Sequence, residues 1–187
     1  MSTPELARYH HGALRPALLD AADVLLDEGG TGAVSLREAA RRAGVSPTAA
    51  YRHFDSKEAL LAAVAARGFH DFAAALDEAA HLSNDPLSAR GVAYVHFALT
   101  RPGRFRLMFG PAIRDKSRHP DLLQAAENAF GRFAQFVAAS GAGDRNPREA
   151  AVAAWALVHG LAQLAIDGML PGEDPLAIAR TITRKRS

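Results

Sequence analysis

Polar side chains that can donate hydrogen bonds to nucleic acid are concentrated between residues 44 and 61. The segment reads GVSPTAAYRHFDSKEALL, and hydroxyl, guanidinium, imidazole and ammonium groups commonly donate to phosphate oxygens and base edges. A helix of about two turns is not stable alone, and these side chains exceed what its packing requires. We predict that this helix is held by its neighbours and enters the major groove of DNA. The donors are Ser46, Thr48, Tyr51, Arg52, His53 and Lys57.

Two short helices and a turn are predicted to position these donors. Ser35 has the features of an N-cap, and Glu38 three residues later completes a capping box. Gly44 ends that helix, and Ser46 caps the next one, which has a proline at its first position. Two helices joined by so short a turn form the helix-turn-helix pattern, here at about 35–54. Apolar residues at core spacing hold it together: Leu36, Ala39, Ala40, Ala43, Val45, Ala50 and Phe54.

The remainder of the chain also has the periodicity of helices. Apolar residues recur at spacings of three and four, and the alternating runs that predict strands are nearly absent. We therefore predict an all-α fold of about nine helices. A DNA-binding domain at 1–57 is followed by a helical domain at 58–187, and the two share the fourth helix. Helices are expected at about 13–28, 35–43, 46–54, 55–80, 87–100, 101–111, 120–139, 148–169 and 174–183, with a loop at 112–119.

Composition and the lack of catalytic motifs exclude several classes of protein. The 187 residues contain no cysteine, so neither a disulfide nor a thiolate metal site is possible. No apolar run approaches the roughly 20 residues of a membrane span, and no signal-peptide pattern is found, so we expect a cytoplasmic protein without a membrane partner. The formal net charge is only +2, so DNA binding must depend on where the cations lie. We find no nucleophile elbow, P-loop, zinc-protease or dinucleotide motif, and predict no enzyme, cofactor or metal site.

Two stretches match a known family of regulators. YHHGALRPALLDAADVLLDEGG at 9–30 and VSLREAARRAGVSPTAAYRHFDSKEALL at 34–61 resemble the N-terminal DNA-binding domain of the TetR family of transcriptional regulators. The specific part is the end of the pattern, where Gly-Val-Ser is followed by a tyrosine, a His-Phe pair and Ser-Lys-Glu. A helix-turn-helix spacing alone is a weak signal, whereas this combination is a strong one.

The resemblance implies a role for each polar residue of the motif. The start of the recognition helix, 47–49, is expected to face bases, whereas Tyr51, His53 and Lys57 contact phosphates on the wall of the groove. Arg52 occupies a position that varies in the family, so it either reads a guanine through two hydrogen bonds or lies near the backbone. The serines act as helix caps whether or not they also touch DNA. The implied DNA-binding residues are Ser35, Arg37, Ser46, Pro47, Thr48, Ala49, Tyr51, Arg52, His53 and Lys57.

The C-terminal part is expected to provide a dimer interface and a ligand site. One short recognition helix reads few base pairs, so specificity requires a homodimer on a palindromic operator. In TetR relatives the last two helices form a four-helix bundle with the partner subunit, which places the interface at about 148–183. The stretch WALVHGLAQLAIDG at 155–168 resembles the Trp-His-Gly class of TetR C-terminal domains. Candidate ligand contacts are Phe97, Phe105, Met108, Phe109, Phe130, Trp155, His159 and Gln163.

The side-chain types at these candidate contacts suggest the ligand and the function. Aromatic and methionine side chains suit a small, largely apolar effector, with His159 or Gln163 to orient it, although the same spacing also fits an ordinary core. Arg101, Arg104 and Arg106 have no acid nearby, so we expect a solvated surface or, as the alternative, a site for an anionic ligand. The preferred function is a homodimeric repressor that the effector releases from its operator. The alternative is a DNA-binding dimer without an effector, either constitutive or architectural.

Overall fold

The computed structural model of the protein describes residues 14–140 and 146–184. Within these ranges every regular element is an α-helix, apart from one 3-10 turn at Lys116–Arg118 in the predicted loop. The predicted all-α fold of nine helices is confirmed for the described part of the chain, and the first 13 residues of the predicted DNA-binding domain lie outside it. The helices are α1 (Leu14–Ala33), α2 (Leu36–Arg42), α3 (Pro47–Tyr51), α4 (Lys57–His81), α5 (Pro86–Thr100), α6 (Pro102–Phe109), α7 (Pro120–Ala139), α8 (Pro147–Ile166) and α9 (Pro175–Thr183).

Serine caps start α2, α3 and α4, as the sequence predicts. The Ser35 Oγ accepts a hydrogen bond from the Glu38 N–H at 3.1 Å, and the Ser46 Oγ accepts one from the Ala49 N–H at 3.2 Å. The Ser56 Oγ caps α4 in the same way at 3.1 Å. Each bond satisfies an N–H that has no partner within its own helix.

A glycine ends α2 at the predicted position, and two glycines kink α1 just after its predicted end. Gly30 has a φ of +63° and Gly44 has a φ of +69°, a conformation that residues with a side chain rarely adopt. The geometry of α1 is no longer helical at Gly29 and Gly30, and a last helical turn follows the kink up to Ala33. α3 is shorter than predicted and covers only Pro47–Tyr51.

Small side chains let α2 and α3 cross closely. Ala39 and Ala40 of α2 and Ala50 of α3 are fully buried, and Phe54 after α3 belongs to the same core. The Arg15 guanidinium lies over the Phe54 ring, with 5.3 Å between the guanidinium carbon and the ring centroid. The five-residue α3 depends on such contacts, because it makes too few internal hydrogen bonds to be stable alone.

The helix α4 joins the N-terminal and C-terminal parts into one packed body. Its 25 residues start at Lys57 and pack against α1 as well as against α5, α6 and α7. Buried apolar residues of both parts belong to one continuous core. The orientation of the helix-turn-helix therefore depends on how the rest of the protein holds α4.

Two of the described helices, α4 and α8, are long and apolar enough to cross a membrane when judged by length and composition alone. The core helix of a soluble protein meets the same criteria, and 56% of the most apolar window of α4 is buried inside the protein. The corresponding share for α8 is only 22%. The part of the chain that the structure describes therefore leaves an apolar face of α8 uncovered.

Four charged residues connect α1 to α4 and α6, and we call them the ionic junction: Asp23, Arg67, Asp71 and Arg104. Asp23 is 4% exposed and Arg104 is 8% exposed. The Arg104 Nε donates to the Asp23 Oδ1 at 2.8 Å, and both Arg104 and Arg67 donate to the Asp23 Oδ2. The Arg104 Nη1 also donates to the Asp71 Oδ2 at 2.6 Å. Each buried charge therefore has a partner of opposite sign.

The expectation that Arg101, Arg104 and Arg106 have no acids nearby is wrong. Arg104 belongs to the ionic junction, Arg101 lies 3.8 Å from Asp27, and Arg106 donates to the Asp167 Oδ1 at 2.7 Å. Arg101 and Arg106 are exposed, as expected, whereas Arg104 is buried. The carboxylates come from α1, α4 and the end of α8, so only the packing of distant helices brings them close.

Gly103 allows the first turn of α6 to lie directly against α1. A side chain at this position would place its Cβ 2.5 Å from the Leu26 carbonyl oxygen and 3.0 Å from the Asp27 backbone nitrogen. Contacts this short with backbone atoms cannot be relieved by turning a side chain. The close approach therefore requires glycine.

Candidate DNA-binding surface and ligand cavity

Most of the predicted DNA-binding residues are exposed. Tyr51 is 49% exposed although its side chain is large and mostly apolar, so it is not a core residue. Ser35 and Ala49 are half-buried. The exposed members of the set are Arg37, Ser46, Pro47, Thr48, Tyr51, Arg52, His53 and Lys57.

The exposed arginines of the helix-turn-helix fall into two classes. Arg41 and Arg42 each donate to a glutamate, at 2.9 and 2.7 Å. The side chains of Arg37 and Arg52 make no hydrogen bond or ion pair with another residue of 14–140 or 146–184. An unpaired guanidinium is free to bind phosphate, whereas a paired one must first leave its carboxylate.

Lys57 lies at the start of α4, beside the last turn of α1. Its Nζ donates a hydrogen bond to the Thr31 carbonyl oxygen at 2.6 Å. An ammonium group has three donors, so this bond orients the side chain and leaves the other donors available. The geometry is compatible with the predicted phosphate contact.

A cavity of about 700 Å³ lies between α4, α5, α6, α7 and α8. Its volume is within the range of small-molecule sites, and most of its lining is apolar or aromatic. Glu127, Arg148 and Val152 are exposed lining residues and mark the side that opens to solvent. The lining residues are Phe69, Phe72, Tyr94, Met108, Phe109, Lys116, Ala126, Glu127, Ala129, Phe130, Phe133, Arg148, Val152, Trp155, Ala156 and His159.

Five of the eight predicted ligand contacts line this cavity. Met108 and Phe109 come from α6, Phe130 from α7, and Trp155 and His159 from α8. The Phe109 ring is in the centre of the group, with its centroid 5.0 Å from that of His159 and 6.2 Å from that of Trp155. These five residues come from three helices that meet at one cavity.

The other three predicted contacts lie outside the cavity lining. Phe97 and Phe105 are buried in the core, and the Phe105 ring stacks on the His159 ring with centroids 5.3 Å apart. Gln163 lies about one turn beyond His159 and donates to the Asp167 Oδ2 at 2.7 Å. The choice between pocket and core thus differs from residue to residue.

Tyr94 is the central polar residue of the cavity wall, and the sequence did not reveal it. The Trp155 Nε1 donates to the Tyr94 Oη at 2.9 Å, and the same oxygen lies 2.9 Å from the His159 Nδ1. Burial raises the pKa of the Tyr94 hydroxyl and lowers the pKa of the His159 imidazole. Both groups are therefore held in their neutral forms.

Two family models match the chain. The model of bacterial regulatory proteins of the tetR family matches residues 18–64. The model of the tetracyclin repressor-like C-terminal domain matches residues 87–184, which is more than half of the chain. The chain belongs to the TetR family of transcriptional regulators.

Individual relatives agree with this assignment. The HTH-type transcriptional repressor KstR of Mycolicibacterium smegmatis is 30% identical over 183 residues, which cover 98% of this TetR regulator and 78% of that repressor. The HTH-type transcriptional regulator Rv1816 of Mycobacterium tuberculosis is 31% identical over 121 residues, which cover 62% of this chain and 51% of that protein. A solved structure of a protein of unknown function from Rhodococcus sp. RHA1 has a TM-score of 0.83 at 32% identity and covers 95% of both chains.

The family assignment confirms the class of function that the sequence predicts. The helix-turn-helix of this TetR regulator is a DNA-binding unit, and the relatives are transcriptional regulators rather than enzymes. TetR regulators bind operator DNA and typically act as dimers.

The uncovered face of α8 in this TetR regulator combines large apolar side chains with a glycine. Val152, Leu157 and Leu164 are between 44% and 49% exposed. A Cβ added to Gly160 would meet no atom of the described residues within 4 Å. Exposed apolar side chains and an open glycine therefore occur on the same helix. A second helix could pack beside it.

Proposed function

We propose that this TetR regulator is a homodimeric repressor that binds a palindromic operator and is released from it by a small, largely apolar effector. The observation that carries the proposal is the position of α6. This helix contributes Arg104 to the ionic junction with α1 and, one turn later, Met108 and Phe109 to the cavity wall. A ligand that displaces α6 therefore also displaces its ion pair with α1, the first helix of the DNA-binding domain.

The effector must favour a conformation that fits the operator poorly. A ligand shifts an equilibrium only by the difference between its affinities for the two conformations. The recognition helices of a dimer must lie about 34 Å apart to enter successive major grooves. A small rotation of α4, which carries the helix-turn-helix at its start, changes that spacing and weakens binding.

For DNA recognition we assign bases to the start of α3 and phosphates to its flanks. Residues 47–49 face the bases, and Tyr51, His53 and Lys57 contact the backbone. Arg52 is the C-cap of α3, whereas helix-turn-helix proteins contact bases mainly with the N-terminal residues of the recognition helix. Its position favours a backbone contact over the reading of a guanine.

The uncovered face of α8, together with α9, is the proposed dimer interface. Burying large apolar side chains stabilises the pair of subunits, and Gly160 allows the two α8 helices to approach closely. We also propose that the C-terminal domain belongs to the Trp-His-Gly class. The Trp and His of that motif, Trp155 and His159, both bond to the Tyr94 hydroxyl. Because a bacterial regulator meets its operator in the cytoplasm, the proposal also assigns the protein to that compartment.

The alternative is a DNA-binding dimer without an effector. A two-part experiment distinguishes this alternative from the effector-released repressor. Operator duplexes are selected from random DNA, and binding is measured by mobility shift while thermal unfolding is followed with a panel of apolar compounds. We expect a palindromic consensus, and at least one compound that raises Tm and lowers operator affinity. If no compound does both, the alternative is favoured, and a protein without sequence-specific binding contradicts both functions.

A matched pair of variants tests the interface. Leu157→Glu introduces a charge on the exposed face of α8, whereas Val24→Glu introduces one on the similarly exposed surface of α1. Sedimentation should show a monomer for the first variant and a dimer for the second and for the wild type. A dimeric Leu157→Glu protein would place the interface elsewhere.

A further inference from the structure

Three side chains of the cavity wall, Trp155, Tyr94 and His159, form a chain of hydrogen bonds whose direction is determined by chemistry. An indole N–H can only donate, and the Trp155 Nε1 lies 2.9 Å from the Tyr94 Oη. The Tyr94 oxygen is therefore the acceptor in this bond. Its own proton must be donated to a different group.

The second neighbour of the Tyr94 hydroxyl is the Nδ1 of His159, at 2.9 Å. Tyr94 is 1% exposed, and a buried hydroxyl proton without an acceptor costs free energy. Within the described residues no other acceptor bonds to this hydroxyl. The Tyr94 hydroxyl therefore donates to Nδ1, which carries no proton.

The His159 proton must then be on Nε2. A neutral imidazole has one N–H, and when Nδ1 accepts, Nε2 donates. Burial lowers the pKa of His159, which agrees with the neutral form. His159 therefore lines the cavity with an Nε2–H that has no hydrogen-bond partner among the described residues.

The surroundings of this donor indicate which ligands it would accept. The inner lining is aromatic, and among the charged lining residues Lys116 and Arg148 outnumber Glu127. Aromatic rings also attract cations, but a ligand ammonium would meet an N–H donor and two basic side chains. An oxygen acceptor on an apolar body satisfies His159 without this repulsion.

We propose that the effector is an uncharged or anionic apolar molecule with a hydrogen-bond acceptor oxygen, such as a ketone, ester or carboxylate, that binds the Nε2–H of His159. Tyr94 and Trp155 are positioning residues that hold His159 in the donor tautomer. The proposal rests on the cavity being the effector site of the repressor proposed above. It adds the chemical class of the effector and the atom that recognises it.

Binding can be followed without a label, because Trp155 is the only tryptophan in the chain. The three probes have a similar shape. 4-Phenylcyclohexanone carries an acceptor oxygen, phenylcyclohexane carries no polar group, and 4-phenylcyclohexylamine carries a cation. The ratio of the hydrocarbon Kd to the ketone Kd is compared between wild type and His159→Phe, so that differences in probe hydration cancel. We expect this ratio to fall about 2- to 10-fold in the variant, the range of one hydrogen bond, and the amine to bind most weakly to wild type.

The tautomer is tested directly by two-bond proton–nitrogen NMR of the imidazole rings, with His159→Phe used to assign the signal. We expect a protonated Nε2 and an unprotonated Nδ1 in wild type. Tyr94→Phe should mix the two tautomers and reduce the ketone preference although His159 is still present, which a purely structural role of Tyr94 would not do. His81→Phe, at the exposed end of α4, is the control and should change neither result.

The outcomes separate this inference from the proposed function. Equal ratios in wild type and His159→Phe, a protonated Nδ1, or an amine that binds as tightly as the ketone would overturn the donor role of His159. If no probe changes the Trp155 fluorescence while operator binding is intact, the cavity is not the effector site and both the inference and the effector part of the function fail. A failure of operator binding contradicts the proposed repressor but leaves the fluorescence and NMR results to decide the chemistry of the cavity.

Discussion

The arginines of the DNA-binding surface and those of the ionic junction have the same chemistry in opposite environments. Arg37 and Arg52 are exposed and unpaired within the described ranges, whereas Arg104 is buried between Asp23 and Asp71. A free guanidinium can exchange water for a phosphate when DNA arrives. A buried one already has its partners, so its contribution is to hold α6 against α1.

This difference separates a role in binding DNA from a role in holding helices together. Surface cations contribute an affinity that falls steeply with salt, because phosphate contacts release counterions. Buried pairs are screened much less, because salt ions do not reach them. Substitutions at the junction should therefore change the stability and the position of helices, and substitutions at the surface should change DNA binding alone.

The largest expected effect is that of Asp23→Ala. It leaves the buried Arg104 without its two-bond partner and Arg67 without one of its two carboxylates. Breaking a buried ion pair from one side costs about 3–5 kcal/mol of unfolding free energy. Urea unfolding at a fixed protein concentration measures this loss.

Asp20→Ala is the matched control for that variant. Asp20 pairs with the same Arg67, at 2.6 Å, but its side chain is 72% exposed. Exposed pairs contribute about 0–1 kcal/mol. If both alanine variants lose the same free energy, the ionic junction does not hold α6 to α1 in the way that its burial indicates.

A second substitution tests the same contact without changing any charge. Gly103→Ala places a Cβ 2.5 Å from the Leu26 carbonyl oxygen, so α6 must move away from α1. Overpacking of this kind costs about 2 kcal/mol. Gly131→Ala in α7 is the control, because its Cβ meets nothing within 4 Å, and there alanine should stabilise the helix by about 0.5–1 kcal/mol. Thermal unfolding in which Gly103→Ala is as stable as wild type would show that α6 tolerates a shift.

A smaller effect is expected on the DNA-binding surface. Lys57→Ala removes the proposed phosphate contact, worth about 1.5 kcal/mol, and should reduce the slope of log affinity against log salt by about 0.9 for each subunit. Arg41→Ala is the control, because Arg41 is already paired with Glu38. Anisotropy titrations over a salt series measure both slopes. Equal slopes for Lys57→Ala and wild type would remove Lys57 from the phosphate contacts.

The same contrast explains what could be predicted from the sequence. The caps and turns of the helix-turn-helix depend on neighbours in the chain. The Ser35 Oγ accepts from the Glu38 N–H at the start of α2, and Gly44 follows the end of that helix. Such features are visible in a short window. The exposure of Tyr51 could also be predicted, because a five-residue helix needs few side chains for packing and α3 buries only Ala50.

The ionic junction and the wall of the cavity depend on residues that are far apart in the chain. Asp23 and Arg104 are separated by 81 positions, and Tyr94 and His159 by 65. Charge and polarity at these sites look ordinary until helix packing brings the partners together. One signal did exist: Trp155 and His159 lie one turn apart, and both have nitrogens that need a partner when buried, so a shared third group could have been expected.

The smallest expected effect concerns the pH dependence of stability. Burial lowers the pKa of His159 in the folded protein, whereas an exposed imidazole in the unfolded chain takes up a proton near pH 6.5. Between these two pKa values the unfolded state binds more protons, so His159 contributes stability above pH 6.5 that is lost as the pH falls towards the folded-state pKa. The ring neighbours Phe105, Phe109 and Trp155 do not titrate, so this loss belongs to His159 and its bond to Tyr94. In urea titrations from pH 7.5 to about pH 5, His159→Phe should lose less stability than wild type and than His81→Phe. Equal losses in all three would mean that the pKa of His159 is the same in the folded and unfolded states.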